Sequence, residues 1–466
     1  MSSDKTPNAS RRAFFKRASA LSIAGIATPW ALNLATMAEA SAATASDYKA
    51  MVCIFLYGGN DYANTLVPYD TSSYNSYQTL RPALAYQRSS LANTLLTPTS
   101  APIDSAGVSR QFALAPELAP LLPLFNAGKM GALLNVGTLV QPTTKAQFLN
   151  KSVPLPPKLF SHNDQQSVWQ SSSPEGATSG WGGRMGDLFE AGNGNATFTC
   201  VNVSGNAVFL SGKEAVQYQV SSNGSVPFAG LKTPLFGSTA CSDALRSLIT
   251  QNRSHILENE YNIVTRRSID ADGILSAALA SSTPIATPFP AENSLAAQLK
   301  MVARMIASAD KLGAKRQVFF VSLGGFDHHD SLVAEHPVLL KTVADAMAAF
   351  YQSTVELRVQ NQVTSFTASD FGRTLSANND GSDHGWGNMH FVLGGAVNGK
   401  QYYGTAPILA NNGPDDVGQG RLLPTTSVDQ VAATLGKWLG ISDSALLDLL
   451  PNLQNFDAGR RHLGFV

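Results

Sequence analysis

The sequence predicts a three-layer α/β fold, in which helices cover both faces of a mostly parallel β-sheet. Short apolar runs alternate along the chain with stretches of helical periodicity, and this alternation is typical of such folds. Each run is continuously apolar rather than alternating, as expected of strands that are buried on both faces. The chain has 466 residues, 44% hydrophobic and 14% charged, so it can bury a large core.

Five apolar runs are predicted to form strands of a parallel sheet. Each is rich in valine, phenylalanine, isoleucine and leucine, and each is followed by glycine or polar residues. Because the carboxyl ends of parallel strands lie at one edge of a sheet, we expect the polar residues after these runs to converge there. The runs are residues 51–61, 130–138, 317–327, 362–372 and 389–397.

Helices are predicted between and after these strands. The clearest start and stop signals belong to the last helix, which opens with a Ser-x-x-Gln capping pattern and closes on Gly440. The predicted helices of the core are residues 294–314, 331–359 and 427–440.

Residues 195–285 interrupt the alternation of strands and helices. Short strands with Asn-Gly and Ser-Gly turns are predicted up to residue 230, and helical segments are predicted from residue 240 onwards. We expect this stretch to be a small, β-rich insertion that elaborates the core rather than a separate domain.

Residues 1–45 are predicted to be an export signal, and residues 46–466 the mature domain. Arg11 and Arg12 precede an apolar stretch that threonine, serine, asparagine and proline interrupt, so it is poorly suited to span a bilayer. The arginine pair resembles a twin-arginine signal, which the translocase reads as an address. The alternative is a basic amphipathic first helix of the mature fold. Cleavage is predicted after one of three alanines, Ala40, Ala42 or Ala45.

Export would deliver a periplasmic or extracellular protein, and no second apolar segment of membrane-spanning length follows the signal. The chain has 33 basic and 33 acidic residues, and this balance gives no support to nucleic acid as a partner. Its three cysteines cannot build a disulfide framework. Cys53 lies in an apolar run and is expected to be buried, whereas pairing of Cys200 with Cys241 is left open.

Acidic and histidine side chains follow the predicted strands repeatedly. Aspartate and histidine together suit Zn²⁺, Mn²⁺ or Fe, and an all-oxygen set would favour Ca²⁺ or Mg²⁺. Clustered carboxylates also repel each other unless a cation neutralises them. We therefore predict one or two divalent ions, Zn, Mn or Ca; the alternative is a set of turn-forming residues. The candidate metal ligands are Asp61, Asp327, His329, Asp370, Asp383 and His384.

The adjacent histidines His328 and His329 are expected to play different roles. Successive side chains of an extended loop diverge, so both rings cannot easily reach one metal ion. We predict that His329 is a ligand and that His328 packs or hydrogen-bonds behind the ligands.

Four further residues are candidates for catalysis. Ser161 and His162 precede a predicted helix, where backbone N–H groups favour an anion and a serine near a metal could act as a nucleophile. The alternative for Ser161 is an ordinary N-cap. Arg184, in a glycine-rich stretch, and Arg373, after a strand, could orient an anionic group through paired N–H donors.

Several enzyme classes lose support because their motifs are absent. No G-x-G-x-x-G follows the first strand, and the chain has no Walker A motif and no G-x-S-x-G. Dinucleotide-dependent enzymes, P-loop proteins and α/β-hydrolases are therefore not supported.

The order of five motifs resembles a large bacterial family of exported proteins, a domain of unknown function in the alkaline phosphatase and sulfatase superfamily. That resemblance implies an alkaline phosphatase-like fold with one or two metal ions at the carboxyl edge of the sheet. It also implies a Ser, Thr or formylglycine nucleophile that attacks a phosphate or sulfate ester. The motifs are LYGGNDYANTLVPY, SHNDQQSVWQ, GWGGRMGD, GGFDHHDSL and SDFGRTLSANNDGSDHGWGNMHFVLGG.

The resemblance assigns roles by position. Ser161 matches the nucleophile, and Asp61 matches the acid that binds one metal ion. Asp327 and His329 resemble the Asp and His pair on the other ion.

The late Asp and His pair has two possible assignments, Asp383 with His384 or Asp370 with His384. The residue after Asp370 is Phe371 where the catalytic phosphatases have histidine, and no Cys-x-Pro-x-Arg occurs, so a formylglycine sulfatase is not supported. The leading hypothesis is an exported, metal-dependent hydrolase of phosphate or sulfate esters, with an anionic small molecule or envelope component as substrate. The alternative is a non-catalytic binding or assembly protein of the cell envelope that reuses the fold.

Overall fold

The computed structural model describes residues 48–466, so the predicted export signal lies outside the described residues. A ten-stranded sheet runs through this part of the chain, in the order β13-β4-β12-β9-β1-β8-β5-β6-β7, with β14 beside β4. The strands are β1 (Lys49–Leu56), β2 (Leu66–Pro68), β3 (Phe112–Leu114), β4 (Met130–Gly137), β5 (Cys200–Asn202), β6 (Tyr218–Ser221), β7 (Gly224–Ser225), β8 (Arg316–Leu323), β9 (Val363–Ser369), β10 (Arg373–Asn378), β11 (Gly381–His384), β12 (Asn388–Gly394), β13 (Tyr402–Tyr403) and β14 (Thr426–Ser427).

Helices lie between the strands. The α-helices of the described chain are α1 (Thr71–Leu80), α2 (Arg88–Leu91), α3 (Leu122–Asn126), α4 (Lys145–Asn150), α5 (His162–Ser171), α6 (Trp181–Phe189), α7 (Ala229–Lys232), α8 (Thr239–Thr250), α9 (Ile256–Ala280), α10 (Ser294–Ala307), α11 (Leu332–Glu356), α12 (Val428–Leu439) and α13 (Asp443–Leu449).

Strand β1 shows why helices cover both faces of the sheet. Val52 and Ile54 belong to the core that α10 and α11 close on one face. Cys53 and Phe55 point to the other face, where α5, α6 and α12 pack. All four side chains are fully buried, which explains why the strand is continuously apolar in sequence. The predicted three-layer α/β architecture is confirmed.

The five predicted strands correspond to β1, β4, β8, β9 and β12. Strand β1 pairs in parallel with β8 and β9, but β12 pairs antiparallel with both β9 and β4. The expectation that residues 389–397 form a parallel strand was therefore wrong. Strands β10 and β11 form a hairpin after β9, and the chain enters β12 directly from it and runs back along the sheet.

The last predicted helix forms between two strong caps. Helix α12 begins after Ser427 and has a complete capping box with Gln430, and it ends at Gly440, whose φ is 103°. Helix α11 contains Pro337 within its first two turns.

Residues 195–230 contain β5, β6 and β7, and β5 pairs in parallel with β8. This stretch therefore lengthens the central sheet rather than forming a sheet of its own, and α8 and α9 follow it. The three cysteines are free thiols; Cys200 is buried in β5 and Cys241 lies on α8. Within the described residues, no helix is both long and apolar enough to cross a membrane.

Candidate metal centre

The loops after β1, β8 and β9 meet at the carboxyl edge of the sheet. Tyr57 donates its N–H to Leu323 O at 2.9 Å, and Phe326 donates back to Tyr57 O at 3.1 Å. Gly58 has a φ of 115°, and a Cβ at this position would lie only 2.4 Å from the backbone nitrogen of Asp327. Glycine is therefore required where these loops touch.

Asp327 lies at the centre of a cluster of three histidines. Its Oδ1 is 3.2 Å from both His384 Nε2 and His329 Nε2, and its Oδ2 is 3.3 Å from His162 Nε2. One Nε2 atom from each ring thus faces the same carboxylate.

The other ring nitrogen of each histidine faces an oxygen that can only accept. A neutral ring in this position carries its proton on Nδ1 and leaves the Nε2 lone pair free. This is how ligand histidines are usually held. The pairs are His162 Nδ1 with Asp370 Oδ2 at 2.7 Å, His384 Nδ1 with Phe160 O at 2.7 Å, and His329 Nδ1 with Asp383 Oδ1 at 3.3 Å.

The arrangement of the nitrogens fits a bound cation. His329 Nε2 and His384 Nε2 are 2.9 Å apart, where two lone pairs repel each other unless a proton or a cation lies between them. His162 Nε2 is buried and has no hydrogen-bond partner among the described residues. The ligand atoms of His162, Asp327 and His384 all lie within 4.8 Å of one another. Imidazole and carboxylate together are a donor set for a divalent transition metal.

Arg373 holds Asp327 in place. Its guanidinium is fully buried and donates to Asp327 Oδ1 at 2.7 Å, to Gly58 O at 3.3 Å, and to the carbonyl of Ser382. Burial disfavours the charge on Asp327, but the hydrogen bond and charge of Arg373 lower the pKa of that carboxyl overall. Arg373 was predicted to orient an anionic group, and the structure instead uses it for the carboxylate and the backbone.

Asp370 lies behind His162 rather than in the cluster. Its buried Oδ2 accepts from the backbone N–H of Gly58 at 3.2 Å and from Gln166 Nε2 at 2.8 Å. Its hydrogen bond to His162, reinforced by its charge, raises the pKa of His162 although the ring is partly buried. Asp370 therefore orients His162, and Asp383 faces His329 in the same way.

Asp61 is used elsewhere. Its carboxylate forms a buried two-point ion pair with Arg81, at 2.9 Å to Nη1 and 2.5 Å to Nη2, and it caps the turn that begins at Tyr62. Burial opposes the charge of Asp61, but Arg81 lowers the pKa of its carboxyl. The structure does not bring this predicted ligand into the cluster.

Ser161 stands directly before His162 at the start of α5. Its Oγ donates to Asp164 Oδ2 at 2.9 Å, and it forms no side-chain cap to the helix. Phe160 has a left-handed φ of 73°, in the backbone turn whose carbonyl accepts from His384. Ser161 thus lies in sequence between Phe160, whose carbonyl faces His384, and His162 of the cluster.

Arg184 lies away from the cluster. It donates to the carbonyls of Leu449, Ser179 and Ser171, and burial lowers the pKa of its guanidinium. It joins α6 to neighbouring segments and is not available to an anion at the centre.

The two adjacent histidines face different parts of the protein. His329 reaches the cluster, whereas His328 is buried, lies 3.6 Å from Glu335, and packs against the ring of His336.

Arg421 had no signal in the sequence, and Phe371 stood out there only as the residue found where the catalytic phosphatases have histidine. Arg421, far along the chain, donates from Nε to His384 O at 2.8 Å, and its guanidinium stacks 4.8 Å over the ring of Phe160. Phe371 packs against the rings of His162 and His384 at 4.8 Å and 4.7 Å. Gln166 could have been found, because it belongs to the SHNDQQ motif.

The sequence profile of a protein family described as "Protein of unknown function (DUF1501)" matches residues 48–450. No curated protein sequence matches the chain.

Among solved structures, the chain is similar to Ps i-CgsB in complex with k-i-k-neocarrahexaose, at 10% identity and a TM-score of 0.35, over 88% of this chain and 77% of that chain. It is similar to the lipoteichoic acid synthase LtaP from Listeria monocytogenes at 9% identity and a TM-score of 0.33, over 91% and 76%. The C-terminal periplasmic domain of EcEptC from Escherichia coli matches at 10% identity and a TM-score of 0.32, over 86% and 84%.

Proposed function

This chain belongs to the DUF1501 family of proteins of unknown function, and we propose that it is an exported, metal-dependent hydrolase of phosphate or sulfate esters. One observation carries the proposal: the Nε2 atoms of three histidines face Asp327 while their Nδ1 atoms face acceptors.

Four residues would hold the metal ion: His162, Asp327, His329 and His384. With three imidazoles, the set favours Zn²⁺ or Mn²⁺ over Ca²⁺, which prefers oxygen ligands. When bound, such an ion supplies Lewis acidity toward an oxygen of an anionic ester.

The surrounding residues hold these side chains in the protonation states that bind a metal ion. Asp370 and the Phe160 carbonyl hold the protons of His162 and His384 on Nδ1, so that both Nε2 atoms stay available. Arg373 keeps Asp327 ionised by lowering its pKa.

Ser161 and Arg421 supply the other two functions of a hydrolase site. The Oγ of Ser161 donates to Asp164, so this carboxylate can accept the hydroxyl proton as Oγ bonds to the phosphorus or sulfur of the ester. The bond from that atom to the ester oxygen breaks, the alcohol leaves with the proton, and water then hydrolyses the serine ester. Arg421 replaces Arg184 and Arg373 as the guanidinium that orients the anion. Among the described residues it is bound only to two backbone carbonyls and the face of Phe160.

The predicted twin-arginine signal supports a place outside the cytoplasm. We propose that the translocase is a partner during export and that the substrate is an anionic small molecule or envelope component.

Metal content and hydrolysis test the proposal together. Protein exported through its own signal is analysed for metal and assayed on aryl phosphates and aryl sulfates with Zn²⁺ and Mn²⁺. We expect bound metal and hydrolysis, both lost in Asp327→Asn. Asp330→Asn is the matched control, because this exposed aspartate lies three residues away, and it should keep both. Wild-type protein without metal and without hydrolysis would overturn the proposal.

A second candidate, a non-catalytic binding or assembly protein of the envelope, is favoured by one observation. Two residues that the resemblance assigns as metal ligand and nucleophile are engaged elsewhere. Asp61 forms an ion pair with Arg81, and the Ser161 hydroxyl donates to Asp164. This candidate predicts metal binding without hydrolysis and no effect of Ser161→Ala on binding of envelope material.

A further inference from the structure

Helix α9 carries an apolar stripe of which only half is covered. Residues at spacings of four and three, the repeat of a helix–helix seam, share one face of a helix. In the second half of α9, Ala271, Leu275 and Ala278 on this stripe are buried in the core. The same stripe continues toward the start of the helix through Ser268, Val264, Tyr261 and Leu257.

The first half of the stripe is exposed. Leu257, Tyr261 and Val264 are 72%, 65% and 47% exposed. The face that buries the second half of α9 therefore runs past the edge of the core, and three large side chains of the stripe remain uncovered by the described residues.

Helix α8 does not cover these side chains. It approaches α9 from another side, where Asn262 donates to Gln251 O at 2.7 Å and Arg266 donates to Thr250 O. At 100° per residue, Asn262 and Arg266 point away from the line that joins Tyr261 and Val264. Helix α8 also buries none of its own residues.

Charges beside the stripe show which partner fits. Glu260 and Arg267 are seven residues apart, so they lie along the same edge of the stripe, and neither forms a hydrogen bond or ion pair with the described residues. In an antiparallel pair of identical helices, this edge faces its own copy. Glu260 then comes beside Arg267 of the second copy, and the reverse contact forms as well.

We propose that a second copy of this chain docks antiparallel along residues 257–268, with Tyr261 of each copy against Val264 of the other. The contact is related by a two-fold axis and closes on itself, as in most homodimers. In a parallel pair this edge would face the opposite edge of the second copy, so the two Glu260–Arg267 contacts form only in the antiparallel arrangement.

Sedimentation equilibrium of the mature protein tests this. We expect a monomer–dimer equilibrium for the wild type. Tyr261→Glu would bury a charge at the centre of the contact and should weaken the dimer by more than about 100-fold. Val338→Glu, at an apolar position on α11 that is 64% exposed, is the matched control and should dimerise like the wild type.

A charge exchange tests the orientation. Each single variant, Glu260→Arg or Arg267→Glu, puts like charges at positions 260 and 267 in both of the symmetric contacts. It should raise the dissociation constant of the dimer about tenfold. The double variant restores opposite charges and should recover wild-type association. Glu260, Tyr261 and Arg267 are exposed on α9 and Val338 is exposed on α11, and circular dichroism would verify that the variants fold.

Three results would overturn the proposal: a wild type that stays monomeric at every concentration, a dimer that Tyr261→Glu leaves unchanged, or a double variant that does not recover. Binding of the monomer to anionic lipid vesicles through Tyr261 would instead assign the stripe to a lipid surface.

Discussion

The Nε2 atoms of His329 and His384 lie 2.9 Å apart, although the two residues are 55 positions apart in the chain. Each ring turns its Nδ1 toward an acceptor, so the close approach of the Nε2 atoms is best relieved by a shared cation.

The first prediction concerns His384. His384→Gln removes one imidazole from the set and should weaken Zn²⁺ binding by more than the roughly 10- to 100-fold that follows loss of an outer hydrogen-bond partner. Isothermal titration calorimetry on metal-free protein measures the affinity. His255→Gln, at an exposed histidine before α9, should bind like the wild type. Equal affinity for both variants would remove His384 from the metal centre.

Asp370→Asn should change His162 without removing a ligand. The neutral amide no longer stabilises the imidazolium, so the pKa of His162 should fall in metal-free protein. Zn²⁺ affinity should fall about 10- to 100-fold, since the ring is held less firmly. NMR titration of the His162 ring and calorimetry measure the two effects. An unchanged His162 pKa would contradict the role given to Asp370.

Gly58→Ala should destabilise the site loop through a steric clash. The new methyl group would meet the backbone of Asp327, and the residue would keep a left-handed φ of 115°. Gly205→Ala is a matched control, because its φ is 116° and nothing lies within 4 Å of an added Cβ. Urea denaturation should show a loss of about 1–2 kcal/mol for Gly205→Ala and a clearly larger loss for Gly58→Ala. Equal losses would mean that the loops separate easily.

Asp61 and Arg81 should act as a structural pair. Arg81→Met leaves a buried carboxylate without its partner and should cost about 3–5 kcal/mol of unfolding free energy. Asp61→Asn should leave the Zn²⁺ stoichiometry unchanged, because the carboxylate faces Arg81. The exposed pair of Lys341 and Asp345 is the control, and Asp345→Asn should cost less than about 1 kcal/mol. Loss of metal in Asp61→Asn would return this residue to the ligand set.

The last prediction concerns pH and His390. Burial lowers the pKa of this histidine in β12 to about 3. Below about pH 6.5 the unfolded chain binds a proton at this histidine and the folded chain does not. The free energy of unfolding therefore falls by about 1.4 kcal/mol for each pH unit below 6.5 because of this group. The loss accumulates as pH falls from about 6.5 toward 3 and is absent above 6.5.

His390→Gln removes this titration. Between pH 7 and pH 5, its unfolding free energy should fall by about 2 kcal/mol less than that of the wild type. Urea denaturation at the two pH values measures both slopes, and the exposed His255→Gln variant should keep the wild-type slope. Identical slopes for His390→Gln and the wild type would contradict the assignment.

The sequence by itself determined the layers of the fold. Strand β1 could be recognised because burial on both faces requires every residue from Ala50 to Leu56 to be apolar. Helix α12 could be recognised because its caps are local: Ser427 and Gln430 satisfy backbone groups within three residues. The direction of β12 could not be recognised, because its apolar pattern is the same in either direction. The β10–β11 hairpin, which precedes β12, sets that direction.

The candidate site divides in the same way. Asp327, His329 and His384 could be proposed because they follow strands, and parallel strands bring their carboxyl ends together. Tertiary structure alone decided which carboxylates face the centre. Asp61 and Asp327 both follow strands. Arg81 pairs with Asp61 away from the cluster, whereas Arg373 pairs with Asp327 beside the three histidines. Sequence spacing does not show that the fold brings Arg81 to the carboxylate of Asp61 or Arg421 to the carbonyl of His384.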